Sequence, residues 1–546
     1  MAETTVGQSV GEPEGSDIDA TRAARPLSLT PATLVIALAT LLALLLRGYQ
    51  LTRPGVLVGV GDYDDGTDFG SAILLVHGVL PYRDFVTVQP PGITLLMVPA
   101  ALLSLVKGTA YAIGLGRILT VLASAGGVVV GGLIVRRRGI FALVVTCGLL
   151  AIYPGSVQAA HTVLLEPWLV LFCLLGVAAA FRGDQLASAS RLTWSGAALG
   201  FAGAVKLWAV IPAAVLLVIL MANRWHAGRY LVGLAAGFLI PVLPFAVLAP
   251  KRFYDSVVVA QVFRPSARTP LPYRLQQLTG LTGLHAGNLV MIIAAVVVIA
   301  GIAGTLIAAW LATGQPPTVL ESFAVATAGL IIVAFLVPDN FYYHYPAFLA
   351  PFIAMAFALP ASRLLGDSGE AENGIQGSAQ RAWPRALRPP PAWVRYASVS
   401  VAALAIVLLP YAVPQAEHTP RPTYAGAIVV LKRVIPPGAC VVSDQASLLI
   451  SADRFVSSVR GCTVVVDGFG TSYALGHRRA QMAGTVPVVA QLWRRAFSAA
   501  QYVLLTRDNT QRIAWTPRLI AYLHSNFVNA NLPLPRLVLY VRTHRR

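Results

Sequence analysis

The feature that most limits this chain is a series of long apolar runs separated by short, arginine-bearing loops. Such runs occur near residues 29–46, 91–106, 112–135, 140–153, 165–181, 192–205, 207–221, 229–249, 286–311, 319–337, 345–360 and 396–413. Most approach or exceed the ~20 residues that a helix needs to cross a bilayer. Composition agrees: of the 546 residues, 56% are hydrophobic and only 12% charged, about half the ~25% charged fraction of a soluble domain. Mean hydropathy is +0.69. The expected fold class is a polytopic α-helical membrane protein.

The formal net charge of +18 comes almost wholly from arginine, since lysine stands only at 107, 206, 251 and 432. In a soluble protein this balance would point to nucleic acid. Here the basic residues sit in loops between apolar runs, where they set orientation, and neither zinc-finger spacing nor a nucleotide-binding glycine motif is present. No nucleic-acid partner is expected. The preference for Ala, Val, Leu and Arg resembles translation of GC-rich codons, as in actinobacteria.

Arginine clusters constrain the topology. Arg22 and Arg25 precede the first run, Arg136–Arg138 follow the third, Arg182 and Arg191 the fifth, Arg224 and Arg229 the seventh, and a basic linker from Arg363 to Arg395 the eleventh. If all twelve runs crossed, Arg136–Arg138 and the later clusters would face outward, against the positive-inside tendency. Treating 91–106 as a helix lying at the outer interface removes the conflict, and that run opens at Pro90-Pro91-Gly92. The expectation is therefore eleven spans, with the N-terminus inside and the C-terminus outside. Residues 1–28 read as a disordered cytoplasmic tail without a cleavable signal peptide. Residues 29–413 form the transmembrane domain, with 47–111 as the first extracytoplasmic loop and 361–395 as a cytoplasmic linker. Residues 414–546 form a small extracytoplasmic domain. Localisation in the inner (plasma) membrane follows from this reading.

The outward loops carry the chemistry. The first contains Asp62, Asp64, Asp65 and Asp68 within Gly61–Asp68, four carboxylates in seven residues. Such crowding fits a cation site, a base, or a solvated acidic loop. Asp64 and Asp68 share a face if the segment is helical. The loop continues through Gly78-Val79-Leu80-Pro81-Tyr82-Arg83-Asp84-Phe85 to Gln89-Pro90-Pro91-Gly92. An acidic pair, then Gly-x-x-Pro-Tyr-x-Asp-Phe, then Pro-Pro-Gly opening an interfacial helix resembles the GT-C superfamily of integral-membrane glycosyltransferases. The likeness is to the branch of protein O-mannosyltransferases and aminoarabinose transferases, over residues 30–360. Further matches are Glu166 in His161-Thr162-Val163-Leu164-Leu165-Glu166-Pro167, Lys206 at the end of the sixth run, and Phe341-Tyr342-Tyr343-His344-Tyr345-Pro346.

The resemblance implies transfer of a sugar from a polyprenyl phosphate to an envelope glycan or glycolipid, with mannose favoured and arabinofuranose second. Displacing a phosphate needs a base for the acceptor hydroxyl and cations for the departing group. Asp64 is the candidate base by its match to the first acidic residue of the family pair, and Asp65 is the alternative. Asp84, Glu166, Lys206, Arg264, Tyr343 and His344 are candidate substrate-binding groups. The family pair is often Asp-Glu, so the Asp64-Asp65 departure leaves the base open by one residue. No cofactor is required, but a divalent metal on Asp62, Asp65 and Asp68 stays open because hard oxygen ligands crowd there. Each group has a plainer role: Lys206 snorkelling from a helix end, Glu166 a solvated helix-start acid, His344 part of an aromatic belt, and Arg264 and Arg268 ordinary loop residues.

The exported domain alternates β-rich runs at 439–443, 462–466, 502–506 and 537–541 with helical stretches near 423–434, 488–499 and 515–524, which predicts a small α/β layer. Asp444 and Asp467 follow strands, where capping a turn is the common role. Cys440 and Cys462 lie in a compartment that permits a disulfide, the alternative being two unpaired core thiols. Two other functional classes compete with the transferase. One is a transporter or lipid flippase, which would place ionisable groups near mid-membrane, and the other is a non-catalytic scaffold for envelope synthesis.

Overall fold

A computed structural model describes residues 30–264, 268–281, 287–338, 340–366, 424–507, 510–534 and 536–543. The expected tail at 1–28, the run at 396–413 and most of the 361–395 linker lie outside the described residues.

The apolar runs become helices α1 (Pro31–Thr52), α2 (Tyr63–Val76), α3 (Gly92–Ala101), α4 (Thr109–Val135), α5 (Gly139–Ile152), α6 (Glu166–Ala180), α7 (Ala189–Val205), α8 (Val210–Leu220), α9 (Arg224–Leu248), α10 (Asn288–Thr313), α11 (Val319–Leu336) and α12 (Pro346–Leu364). Among the described residues, six apolar helical stretches are long enough to cross a bilayer. One of them, Thr109–Ile152, has 44 residues, about 66 Å at 1.5 Å per residue and twice a ~30 Å hydrocarbon core. It is two helices: the turn Arg136–Arg138 and Gly139 at φ 89° fold α5 back along α4. In contrast α3 has ten residues, about 15 Å, and is too short to span.

Small residues let α7 and α9 touch backbone to backbone. A Cβ on Gly196 would lie 2.1 Å from the Tyr230 carbonyl, and one on Gly233 would lie 1.9 Å from the Thr193 carbonyl. Gly200 and Gly237 repeat the contact one turn on. This is the small-xxx-small packing available to helices in lipid, where burial of apolar surface supplies little attraction. Arg47 is fully buried in α1 but satisfied: it donates to the carbonyls of Ala151 (2.7 Å) and Leu150 (3.1 Å) and to Ser124 Oγ (3.0 Å). It thereby caps the C-terminus of α5, whose carbonyls have no partner inside the helix.

The two ends of the bundle differ. At one, Arg138 pairs with Asp184 (2.7 Å) and Glu321 (3.1 Å), and Arg363 pairs with Glu321 (2.8 Å). Asp184 sits in the tight turn between β1 (Phe181–Arg182) and β2 (Gln185–Leu186). Glu321 also completes a capping box with Thr318 at the start of α11. The other end gathers 53–108, 161–166, 206–209, 249–264, 268–281 and 340–345, the connections that hold the acidic, basic and aromatic residues discussed above.

The C-terminal domain carries a four-stranded sheet of β3 (Val441–Ser443), β4 (Tyr502–Thr506), β5 (Phe527–Asn529) and β6 (Leu537–Arg542) in the order β3-β4-β6-β5. β3 pairs parallel to β4, with Val442 opposite Val503, and the other pairs are antiparallel. Residues 462–465, expected as a strand, are irregular. Cys462 is instead tied by a disulfide to Cys440 at the lead into β3, with the Cα atoms 5.6 Å apart. This domain docks on α2 through α13 (Ala446–Ser451), so closely that a Cβ on Gly66 would lie 2.3 Å from the Ser447 nitrogen. Thr109 donates to the Ile450 carbonyl (2.7 Å) and the Ala110 N–H to Asp453 (2.8 Å) at the same contact.

Candidate active site

A cavity of about 1460 Å³ lies between that bundle end and the C-terminal domain. Asp62, Asp64, Asp68, Lys206, Arg264, Tyr343 and His344 line it, as do Asp467, Tyr473 and Arg512 from the C-terminal domain.

The four aspartates divide by the work each side chain already does. Asp62 is the N-cap of α2: Oδ1 accepts from the backbone N–H groups of Tyr63 (2.5 Å) and Asp64 (3.3 Å), and Oδ2 accepts from the Tyr343 hydroxyl (2.5 Å). Asp65 turns away from the cavity. Its Oδ2 accepts from Arg117 (2.5 Å) and Thr162 (2.6 Å), and both side chains of the ion pair have no exposure. Arg117 donates its remaining bonds to the carbonyls of Val56 and Leu57, so this pair fastens α2 to α4 and to the preceding loop.

Asp64 is the open member. Its side chain is 42% exposed to the cavity, and His344 Nε2 lies 3.8 Å away. No described residue donates a hydrogen bond to its carboxylate. The surrounding cavity wall, and then the adjacent Asp62 charge, push its pKa up to about 6 against the pull of His344 and Arg264. Asp68 follows one turn later on the same face, 5% exposed, with Oδ2 unpartnered.

The basic side chains lie beside these acids. Lys206 donates to Glu166 (2.5 Å) and stacks its ammonium over the Trp208 ring at 3.6 Å. His344 Nδ1 lies 2.9 Å from the same Glu166 oxygen. Glu166 is fully buried, so it is not a solvated helix-start acid; it fixes Lys206 and His344 in one place. Lys206 and His344 are themselves 7% and 5% exposed, which excludes a simple snorkelling or belt role. Arg264 donates to the Tyr342 hydroxyl (3.1 Å), with its guanidinium 5.0 Å from that ring and 5.8 Å from the Tyr473 ring. Arg268 is exposed and off the cavity.

Two candidate placements differ from the structure. Asp84 is not in the cavity: it is paired with Arg83 (2.8 Å) and accepts from the Leu80 N–H (2.8 Å), closing a turn in the first loop. The motif around it is therefore a loop-folding device, reinforced by the Tyr82 hydroxyl on the Gln89 carbonyl (2.6 Å). The proposed metal set of Asp62, Asp65 and Asp68 does not fit either. Asp62 spends both oxygens on the partners above, Asp65 is held in a buried ion pair off the cavity, and among the described residues no group of three or more His, Cys, Asp or Glu side chains is arranged to hold a metal ion.

The C-terminal domain contributes residues that have no local signature as site groups. Asp467 does cap a helix, accepting from the Gly470 N–H (2.7 Å) at the start of the Gly468–Gly476 helix, α14. It also accepts from the Tyr63 hydroxyl (3.0 Å), which in turn accepts from the Gly468 N–H (2.9 Å). Arg512 lies over the Tyr63 ring at 4.4 Å and donates to Gln445 (2.8 Å). Asp444, at the end of β3, accepts from the Thr506 N–H (3.0 Å) on the neighbouring strand. Trp493 is wholly buried in packing, whereas Trp515 reaches the cavity wall.

Solved structures share this architecture. ArnT from Cupriavidus metallidurans bound to undecaprenyl phosphate superposes with a TM-score of 0.55 at 16% identity, over 93% of this chain and 97% of that one. Its apo state gives a TM-score of 0.57. The oligosaccharyltransferase AglB from Archaeoglobus fulgidus, in complex with an inhibitory peptide and a dolichol-phosphate, gives 0.52 at 11% identity, over 94% of this chain and 74% of that one. No family model and no curated protein matches the sequence. The chain is a polytopic α-helical membrane protein of GT-C-like fold with a small C-terminal α/β domain.

Proposed function

We propose that this protein is a membrane glycosyltransferase that takes a sugar from a polyprenyl-phosphate donor and places it on an envelope glycan or glycolipid. The observation that carries the reading is Asp64: an open, hydrogen-bond-free carboxylate facing Arg264, His344 and Lys206 across one cavity. The acceptor hydroxyl attacks the anomeric carbon, Asp64 takes its proton, and the bond to the phosphate oxygen breaks. Arg264, His344 and Lys206 stabilise the released phosphate. A carboxylate with a pKa of about 6 is mostly ionised at neutral pH and basic enough to assist. Glu166 positions Lys206 and His344, and Tyr343 holds Asp62. The binding of undecaprenyl phosphate by ArnT and of a dolichol-phosphate by AglB supports a polyprenyl carrier here. Mannose is the favoured sugar and arabinofuranose the second. The cavity end faces out of the inner membrane in this reading, with the arginine-rich end in the cytoplasm.

The test supplies purified protein in lipid with polyprenyl-phosphate mannose or arabinose and a short envelope-glycan acceptor. Product from the wild type that Asp64→Asn abolishes, with folding intact, supports the transferase. No product with either donor, or activity indifferent to Asp64→Asn, would favour a scaffold or a transporter.

A further inference from the structure

Three of the four aspartates at the head of α2 are accounted for: Asp62 as cap and Tyr343 acceptor, Asp65 as the partner of Arg117 and Thr162, and Asp64 as the open base. Asp68 is left over. It is 5% exposed and its Oδ2 meets no donor among the described residues; Asp65 Oδ1 is also unpartnered, but Asp65 does not line the cavity and Asp68 does. Native proteins leave few buried polar atoms unpaired, because each costs free energy that folding must offset. Nor does Lys206, the cation nearest in sense, answer this oxygen, since its ammonium is spent on Glu166 and the Trp208 ring. A carboxyl kept in such surroundings is explained by a ligand group that completes it.

Geometry limits what that group is. Asp68 stands four residues after Asp64 on one helix face, so the two side chains start about 5–6 Å apart, roughly the width of a sugar ring. It shares the cavity with Lys206, one of the groups proposed to receive the phosphate. Burial and the Asp64 charge hold its pKa well above the usual carboxylate range, so its proton can be donated as well as its oxygens used as acceptors. A neutral carboxyl next to a lipid phosphate avoids the repulsion a carboxylate would bring.

We infer that Asp68 binds a hydroxyl of the sugar carried by the polyprenyl phosphate, and so helps to choose which sugar is transferred. This rests on the transferase reading above and extends it from the reacting atoms to recognition of the donor sugar. A site built to hydrogen-bond a substrate hydroxyl discriminates strongly against a ligand that lacks it, because its own buried group is then left unpaired.

The test compares binding of polyprenyl-phosphate mannose, polyprenyl-phosphate arabinose and bare polyprenyl phosphate to full-length protein in nanodiscs, for the wild type, Asp68→Asn and Asp68→Ala. The wild type is expected to prefer one sugar-bearing lipid over the bare one by at least about tenfold. Asp68→Ala is expected to lose that preference while binding bare polyprenyl phosphate unchanged, which also shows that the variant is folded. Asp68→Asn, which still donates and accepts, is expected to keep part of it. If Asp68→Ala keeps the full preference, or if Asp68→Asn folds and loses nothing while Asp68→Ala fails to bind any lipid, this inference is overturned and the transferase stands. If the wild type binds none of the three lipids, the transferase reading falls and takes this inference with it.

Discussion

The Arg117 guanidinium donates to the Asp65 carboxylate across 2.5 Å, and neither side chain has any exposure. That single pair separates two adjacent aspartates that chemistry alone leaves equivalent. Asp65 is a structural fastener, and Asp64 is the carboxylate left free to meet a substrate. The two substitutions should therefore fail differently. Asp65→Ala leaves Arg117 as an uncompensated buried charge and should cost roughly 3–5 kcal/mol of stability, seen as a lowered melting temperature in detergent. Asp64→Asn should melt like the wild type and lower sugar transfer by about a hundred- to ten-thousandfold, the usual contribution of a positioned general base.

The rate should depend on pH with an acid limb near the Asp64 value. A base works only when deprotonated. With its pKa pushed up to about 6, kcat/KM should be flat above that pH and fall about tenfold per unit below it. Asp62 is the largest charge holding the value up. Asp62→Asn removes that charge and keeps a side chain able to cap α2, so the limb should move to lower pH. A pH profile of kcat/KM for both proteins measures this, and a limb that stays in place would remove Asp64 from the role of base.

Much of this was legible in the sequence because bilayer physics writes long signals. Run lengths located the helices, and the shortness and Pro-Pro-Gly start of 91–106 set α3 apart from the crossings. Asp64 was legible in the acidic cluster of the first loop, and Lys206, Arg264, His344 and the buried Glu166 behind them as ionisable groups at the ends of apolar runs. What was not legible depends on distant pairing. Arg117 is one cation inside an apolar run, and nothing local shows that it meets Asp65. Tyr63 and Asp467 lie 404 residues apart, so the docking of the C-terminal domain over the cavity has no signature in either segment. Asp84 misled in the opposite way, since a carboxylate in a motif reads alike whether it binds a ligand or ties a turn. Val464 to Val466 read like a strand, but the Cys440–Cys462 link holds that stretch beside the sheet's first strand without joining it.

The disulfide should matter to the C-terminal domain. It closes a loop with a sequence separation of 22, and loops of this size gain about 3 kcal/mol in the chain-entropy account. Cys440→Ser with Cys462→Ser, or treatment with a reductant, should lower the unfolding temperature. Sugar transfer at low temperature should persist, since neither cysteine lines the cavity. Calorimetry with and without reductant separates the two effects.

The contact between α7 and α9 leaves no room for a side chain. At Gly233 even a methyl carbon would lie 1.9 Å from the Thr193 carbonyl, so Gly233→Ala should force the helices apart and cost about 1–3 kcal/mol, and Gly233→Leu more. Gly228 stands on the same helix α9, but a Cβ there would meet nothing within 4 Å. Gly228→Ala should therefore be tolerated or mildly stabilising by helix propensity. Thermal unfolding of the three variants in one detergent tests the contrast, and equal melting of Gly233→Ala and Gly228→Ala would contradict it.

Glu166 holds Lys206 at 2.5 Å and His344 at 2.9 Å while fully buried. Removing either charge of the Glu166–Lys206 pair strands the other in a medium that solvates it poorly, so Glu166→Gln and Lys206→Met should each cost roughly 3–5 kcal/mol. The double variant removes both charges at once and should be less unstable than the two losses added, with a coupling on the order of 0.5–3 kcal/mol. Lys206 has a second support in the Trp208 ring at 3.6 Å, and His344 still faces Asp64, so the coupling should fall short of the full single-variant cost. Activity should not follow stability back. The double variant regains a folded cavity without the cation proposed to receive the phosphate, so its donor turnover should stay low while its melting temperature recovers. Additive losses in melting, or turnover that returns with stability, would show that Glu166 and Lys206 act independently of each other and of the phosphate.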